Sequence, residues 1–223
     1  MEFQHADNTS VALFCLLSLG MAFVCFRTIA LAGNWKKWSV IYVIIISLFS
    51  IVAGSGIIVR NFFPIGPLLF ALIFLFGMIF SFSKSGGEAT KFLTLAALIG
   101  FQGFRLPLEI ILHHWSTIGT IPETMTWSGQ NWDIATGVLS VISIPFVSRS
   151  KSAALIVNSI GFLLLLNVIR VVVMSSPLPF AWELSNPLRL VSYFPYCLVG
   201  PLFVLPALVA HLLTYRKILV HGG

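Results

Sequence analysis

The chain has 223 residues, 58% of them apolar and only 9% charged. Soluble domains carry about 25% charged residues, so this composition excludes a water-soluble globular protein and makes a bilayer the solvent for most of the chain. The formal net charge of +6 is not a nucleic-acid signal, because in a membrane protein the information lies in where the charges sit.

A membrane-crossing helix needs about 20 mostly apolar residues. Seven stretches approach that length, at 11–31, 39–59, 65–82, 92–115, 133–147, 153–174 and 191–215, the fifth being the shortest. The links are short and rich in turn formers, so 1–223 reads as a single all-α domain, a bundle of seven transmembrane helices. Arg27, Lys36, Lys37, Lys84, Lys91, Arg149, Lys151, Arg216 and Lys217 fall at one end of the spans, and only Arg60 and Arg189 at the other. Nine against two places the first end in the cytoplasm, with the N-terminus outside and the C-terminus inside. Tryptophan follows the same frame as interfacial belts, with Trp35 and Trp38 at the inner end and Trp115, Trp127, Trp132 and Trp182 at the outer. Near the N-terminus, Asn8-Thr9-Ser10 matches a glycosylation sequon, a short pattern with little weight so close to a span.

The first three spans carry little chemistry. Cys15, Cys25 and Cys197 stand singly in apolar segments, with no C-x-x-C pair and no metal-ligand spacing. The fourth span is different. At about 100° per residue, Gln102, Arg105, Glu109 and His113 fall within an arc of roughly 80°. A charged side chain at mid-bilayer costs at least about 2.5–3.5 kcal/mol, so this stripe must face protein or water. With Trp115 at the interface, Arg105 lies roughly 15 Å deep and Glu109 roughly 9 Å. Pro107 should kink the helix at Gly103, and Gly100 and Gly103 should let a neighbouring helix come close.

The structural alternative is an ion pair within the helix, Arg105 to Glu109 four residues apart, that fixes packing and nothing else. The functional reading is a ligand or ion site open to the outside. Asp133 at the start of the fifth span, and Asn167 and Arg170 in the outer half of the sixth, are its expected partners across the bundle. The seventh span, with Gly200 and Pro195, Pro201 and Pro206, should be bent.

Several chemistries drop out. All six lysines lie at the inner end, so no retinal Schiff base is available in the bundle. His113 and His114 are at the outer end and His211 at the inner, so no two histidines can clamp a haem at one depth. Sugar transporters of the SWEET type share a seven-span topology, but their fourth helix is a linker, whereas this one carries the polar stripe. Glu109, His113 and Asp133 form a low-ranking metal set, disfavoured by the guanidinium of Arg105 beside them, and no cofactor is assigned.

The segment Phe104-Arg105-Leu106-Pro107-Leu108-Glu109 with His113, and the segment Pro122-Glu123-Thr124-Met125-Thr126-Trp127 with Gly129, Asn131 and Asp133, resemble a pattern in uncharacterised bacterial seven-helix inner-membrane proteins. The likeness covers about a fifth of the chain. It implies a bacterial cytoplasmic membrane, implies that the two segments form one site, and carries no activity.

Three functions follow. The first is binding of a small molecule or ion for transport or sensing, with Gln102, Arg105, Glu109, His113, Asp133, Asn167 and Arg170 as ligand-binding residues. Arg105 would hold an anionic small molecule or lipid headgroup. The second is a membrane-embedded enzyme acting on a lipid or lipid-linked substrate, with Glu109 and His113 as acid–base residues. The third is a non-catalytic subunit or assembly factor of a membrane complex. The lipid bilayer is a partner in all three, and nucleic acid in none.

Overall fold

A computed structural model describes residues 3–220, and among them there are helices and turns but no strand. The helices are α1 (Asn8–Ala30), α2 (Trp35–Gly54), α3 (Ile57–Arg60), α4 (Phe62–Phe82), α5 (Lys84–Phe92), α6 (Leu95–Phe101), α7 (Arg105–Thr117), α8 (Asp133–Ile142), α9 (Ile144–Val147), α10 (Lys151–Ser175) and α11 (Leu205–Val220). Six helical stretches are long and apolar enough to cross a membrane: Asn8–Ala30, Trp35–Gly54, Phe62–Phe82, Leu95–Thr117, Lys151–Ser175 and Tyr196–Leu219. The expected fifth span falls short, because α8 stops at Ile142 and only the one-turn α9 follows.

Local chemistry moves several boundaries. Helix α1 begins three residues early because Asp7 caps it, its Oδ1 accepting from the Ser10 amide at 3.0 Å. Ser10 is itself buried, its hydroxyl 2.7 Å from Asp7 Oδ2 and accepting from Trp115 Nε1 at 2.9 Å. The sequon is therefore built into a helix start, with its serine engaged. The fourth span begins at Leu95 rather than Phe92, where the Thr94 hydroxyl accepts from the Ala97 amide at 3.0 Å. The seventh begins at Tyr196 rather than Val191, after an irregular stretch that includes Pro195.

The fourth and seventh spans, two of those that bear proline, depart from α geometry. In the fourth, a 3-10 turn at Gln102–Phe104 separates α6 from α7. Pro107 then lies in the first turn of α7, where backbone N–H groups have no intrahelical acceptor to lose. In the seventh, a π-helical segment at Gly200–Val204 precedes α11, and the Tyr42 hydroxyl donates to the carbonyl of Pro201 at 2.9 Å. Gly103 serves close approach as expected: a Cβ there would sit 3.1 Å from Val141 Cγ2, so α8 packs directly on the 3-10 turn.

Hydrogen bonds show which segments share an end. At one end the Ala6 amide donates to the Tyr196 hydroxyl, His114 meets Asp7 at 2.7 Å, and Thr124 meets Ser175 at 2.7 Å. At the other, Arg216 donates to the carbonyls of Ser81 and Ser83, and Lys217 to that of Thr90. Leu16, Leu19 and Phe23 of α1 and Leu163 of α10 are each about two-thirds exposed, as lipid-facing residues are when every backbone bond is satisfied within the helix. Among the tryptophans, Trp35 and Trp132 are exposed as interface anchors would be, but Trp38 and Trp115 are not. Trp38 packs edge-on to Phe80 at 5.0 Å, and the fully buried Trp115 lies between Phe14 and Tyr196.

Candidate functional site

The stripe of the fourth span points into the bundle. Gln102, Arg105 and Glu109 are only 3%, 2% and 2% exposed, so all three are removed from lipid. Arg105 does not pair with Glu109 along its own helix. Its Nη1 pairs across to Asp133 Oδ1 at the start of α8, and its Nε donates to Gln102 Oε1 at 3.1 Å. Gln102 in turn donates from Nε2 to the carbonyl of Ala207 at 3.2 Å, tying the cluster to α11. Asp133 reaches Arg105 because it is the first residue of α8, on the face turned to α7, with Trp132 at the N-cap position and no side-chain cap.

Glu109 has a different partner. Asn131 donates from Nδ2 to Glu109 Oε1 at 3.0 Å and to the carbonyl of Met125 at 3.0 Å, and its Oδ1 accepts from the Asp133 amide at 3.1 Å. Glu109 Oε2 is buried with no partner, as are Arg105 Nη2 and His113 Nδ1. One turn out, the His113 ring stacks on Trp127 at 4.1 Å. Buried polar atoms are usually satisfied, so three orphans in one cluster mark it as unusual.

The connection 118–132 closes the cluster at this end. Thr126 and Asn131 are fully buried in it, and Glu123 begins a 3-10 turn with its side chain exposed. Asn167 and Arg170 act on this connection and do not reach Glu109. Asn167 Nδ2 donates to the Gln130 carbonyl at 2.8 Å, and Arg170 Nη2 donates to Gln130 Oε1 at 3.1 Å. The Arg170 guanidinium lies 5.5 Å over Trp182. The sixth span touches the fourth through α6 rather than α7. The expected partnership of Asn167 and Arg170 with the stripe is not formed, because their azimuth turns both to the connection.

Two residues outside the predicted site complete the polar tract. Asn158 of α10 and His211 of α11 are buried and bonded to each other, His211 Nδ1 to Asn158 Oδ1 at 2.9 Å and Asn158 Nδ2 to the His211 carbonyl at 3.2 Å. Polar groups in apolar spans were their signal, but nothing in the sequence says that α10 and α11 pack there. Among the described residues no group of three His, Cys, Asp or Glu side chains is close enough to hold a metal ion. Glu109, His113 and Asp133 are spread over two helices, with Arg105 taking the Asp133 carboxylate.

Two larger cavities are apolar. One of about 760 Å³ is lined by Leu13, Gly20, Phe104 and Pro107 among others, between α1 and the fourth span. The other, about 200 Å³, lies among Cys25, Tyr42, Phe76 and Leu213. The fold and the buried polar cluster together define the class: an all-helical, polytopic integral membrane protein. No family model, no curated protein and no solved structure matches the chain.

Proposed function

We propose that the protein takes up a proton or small cation at Glu109, within a polar site enclosed by the bundle, for transport or sensing. The observation that carries this is the charge count. Arg105 supplies one buried positive charge, Asp133 is already paired with it, and Glu109 is a second buried carboxylate with one oxygen unpartnered. An uncompensated buried charge costs several kcal/mol, and one bound proton or monovalent cation balances the set. An anionic solute or lipid headgroup at Arg105 would compete with Asp133, which already neutralises the guanidinium, so the carboxylate of Glu109 is the better acceptor. His113, with a free Nδ1 one turn outward, is placed to pass protons to Glu109.

In this reading the chain is one domain that crosses the membrane seven times, with α8 and α9 as the fifth, shortened crossing. The basic end lies in the cytoplasm and Asp7 outside, in a bacterial inner membrane. The grouping of Ala6, His114 and Tyr196 at one end, and of Ser81, Thr90 and Arg216 at the other, supports an odd number of crossings. Access from outside requires the connection 118–132 to move, and Gln130, held by Arg170 and Asn167, is its latch.

The test is current on a solid-supported membrane after a step in proton or sodium concentration. Wild type should give a transient current with one of the two ions. Glu109→Gln should abolish it, and Arg170→Ala should keep it. Absence of current with both ions would sink the reading.

A further inference from the structure

Beyond the Arg105–Asp133 pair, toward the basic end, the bundle holds a second polar chamber. It has a volume of about 10 Å³ and is lined by Gln102, Thr136, Ser140, Asn158, Gly161 and His211, with apolar walls from Ile99, Leu139 and Val157. Two buried polar atoms in its lining have no partner, Thr136 Oγ1 and His211 Nε2, on residues 2% and 1% exposed. Gly161 leaves room for both side chains. A Cβ there would stand 2.9 Å from His211 Cε1, closer than real packing allows, and 3.0 Å from Thr136 Cγ2.

The bonding fixes the roles of the ring atoms. Asn158 spends its Nδ2 on the His211 carbonyl, so its Oδ1 faces the ring and takes the proton of Nδ1. A neutral ring in that tautomer presents Nε2 to the chamber as an acceptor. A single water needs about 10–15 Å³ and at least two polar partners. The chamber meets the lower volume bound and offers an acceptor and a hydroxyl.

We propose that this chamber seats one water molecule and that His211 is the inner station of a proton path through the bundle. The path runs from His113 to Glu109, to Asp133, and through the chamber water to His211. It rests on the reading of Glu109 as a cation site and commits that site to protons. Glu109 and Asp133 lie within each other's field and share Asn131 as a neighbour, and Thr136 is one turn along α8 from Asp133. At each step one O–H or N–H bond breaks as another forms, so each station gains and gives up one proton and no electrons move. The groups facing the His211 ring are Asn158, Gly161 and Phe162 from α10, Thr136 from α8 and Gln102 from the fourth span. Arg105 is the charged side chain whose field reaches it.

The experiment is proton flux into proteoliposomes carrying an internal pH dye, driven by a potassium diffusion potential. Thr136→Val, which removes the hydroxyl and keeps the shape, and His211→Gln should each cut the wild-type rate at least tenfold. Glu109→Gln should abolish flux. Full rates in both Thr136→Val and His211→Gln, with flux lost in Glu109→Gln, overturn the inner station and leave the Glu109 site standing. A sodium current with no proton flux in wild type overturns the path alone, and no ion movement of either kind overturns both. Nitrogen-15 NMR of ring-labelled wild type in nanodiscs supplies a readout that needs no folded variant of the chamber. His211 Nε2 should show a hydrogen bond to exchanging water, and a dry Nε2 signal overturns the water seat.

Discussion

Arg105 and Arg170 both lie inside apolar helices, and the structure treats them in opposite ways. Arg105 is 2% exposed and faces a carboxylate and a glutamine from inside the bundle. Arg170 is exposed near the end of its helix, bonds an amide oxygen on a connection, and covers a tryptophan. The first guanidinium pays its desolvation against a fixed countercharge. The second stays exposed, the position in which long basic side chains near span ends can reach headgroups and water. The same residue type therefore marks a charge site in one place and a latch in the other.

The sharpest way to break this comparison is to remove one partner of the buried pair. Arg105→Ala should cost about 3–5 kcal/mol, because it leaves Asp133 buried and unpaired. Reversible unfolding in mixed micelles measures this. The double variant Arg105→Met with Asp133→Leu should recover most of the loss, since replacing both partners with apolar groups is often neutral. A loss below about 1 kcal/mol for the single variant would mean that the pair is wetter than its burial indicates. Next in size is Asn131→Ala, which strips Glu109, the Met125 carbonyl and the Asp133 amide of one shared partner. It should cost about 1–3 kcal/mol in the same assay. Arg170→Ala should fall below about 1 kcal/mol, the range of exposed ion contacts. Its signature should instead be faster hydrogen exchange across 118–132. Equal stability losses for Arg105→Ala and Arg170→Ala would erase the distinction.

The smallest effect concerns Asp7, outside the spans. Hydrogen bonds from the Ser10 hydroxyl and amide, then that from His114, hold its carboxyl below the usual carboxylate range. A carboxyl depressed on folding stabilises the native state at pH above its unfolded value, about 3.9, and that contribution fades as pH falls through the folded value. Asp7→Asn should therefore lower the melting temperature slightly at neutral pH and flatten its fall under acid conditions, followed by a pH series of melting curves.

Much of this was legible in the residues. Apolar stretches located six long spans, and the helical arc through Gln102, Arg105 and Glu109 identified the buried face. What could not be read was azimuth between helices. Arg105 had two acids within reach, Glu109 on its own helix and Asp133 on the next, and only the packing of α8 on Gly103 decides for Asp133. Trp115 looked like an interface anchor because an indole at a span end usually is one. It is fully buried because Ser10, Phe14 and Tyr196 pack against it. Asn158 and His211 were visible as polar residues but lay 53 positions apart, with no local signal of their meeting.

Asn131 has a consequence of its own. One short amide holds a carboxylate of the fourth span, a carbonyl of the connection 118–132 and the first amide of α8. A side chain of that length cannot stretch, so displacement of the connection by an ångström or two must let go of at least one of the three. Displacement of the connection would then change the solvation of Glu109, and a change at Glu109, such as the proposed proton, would be felt in the connection through the same amide.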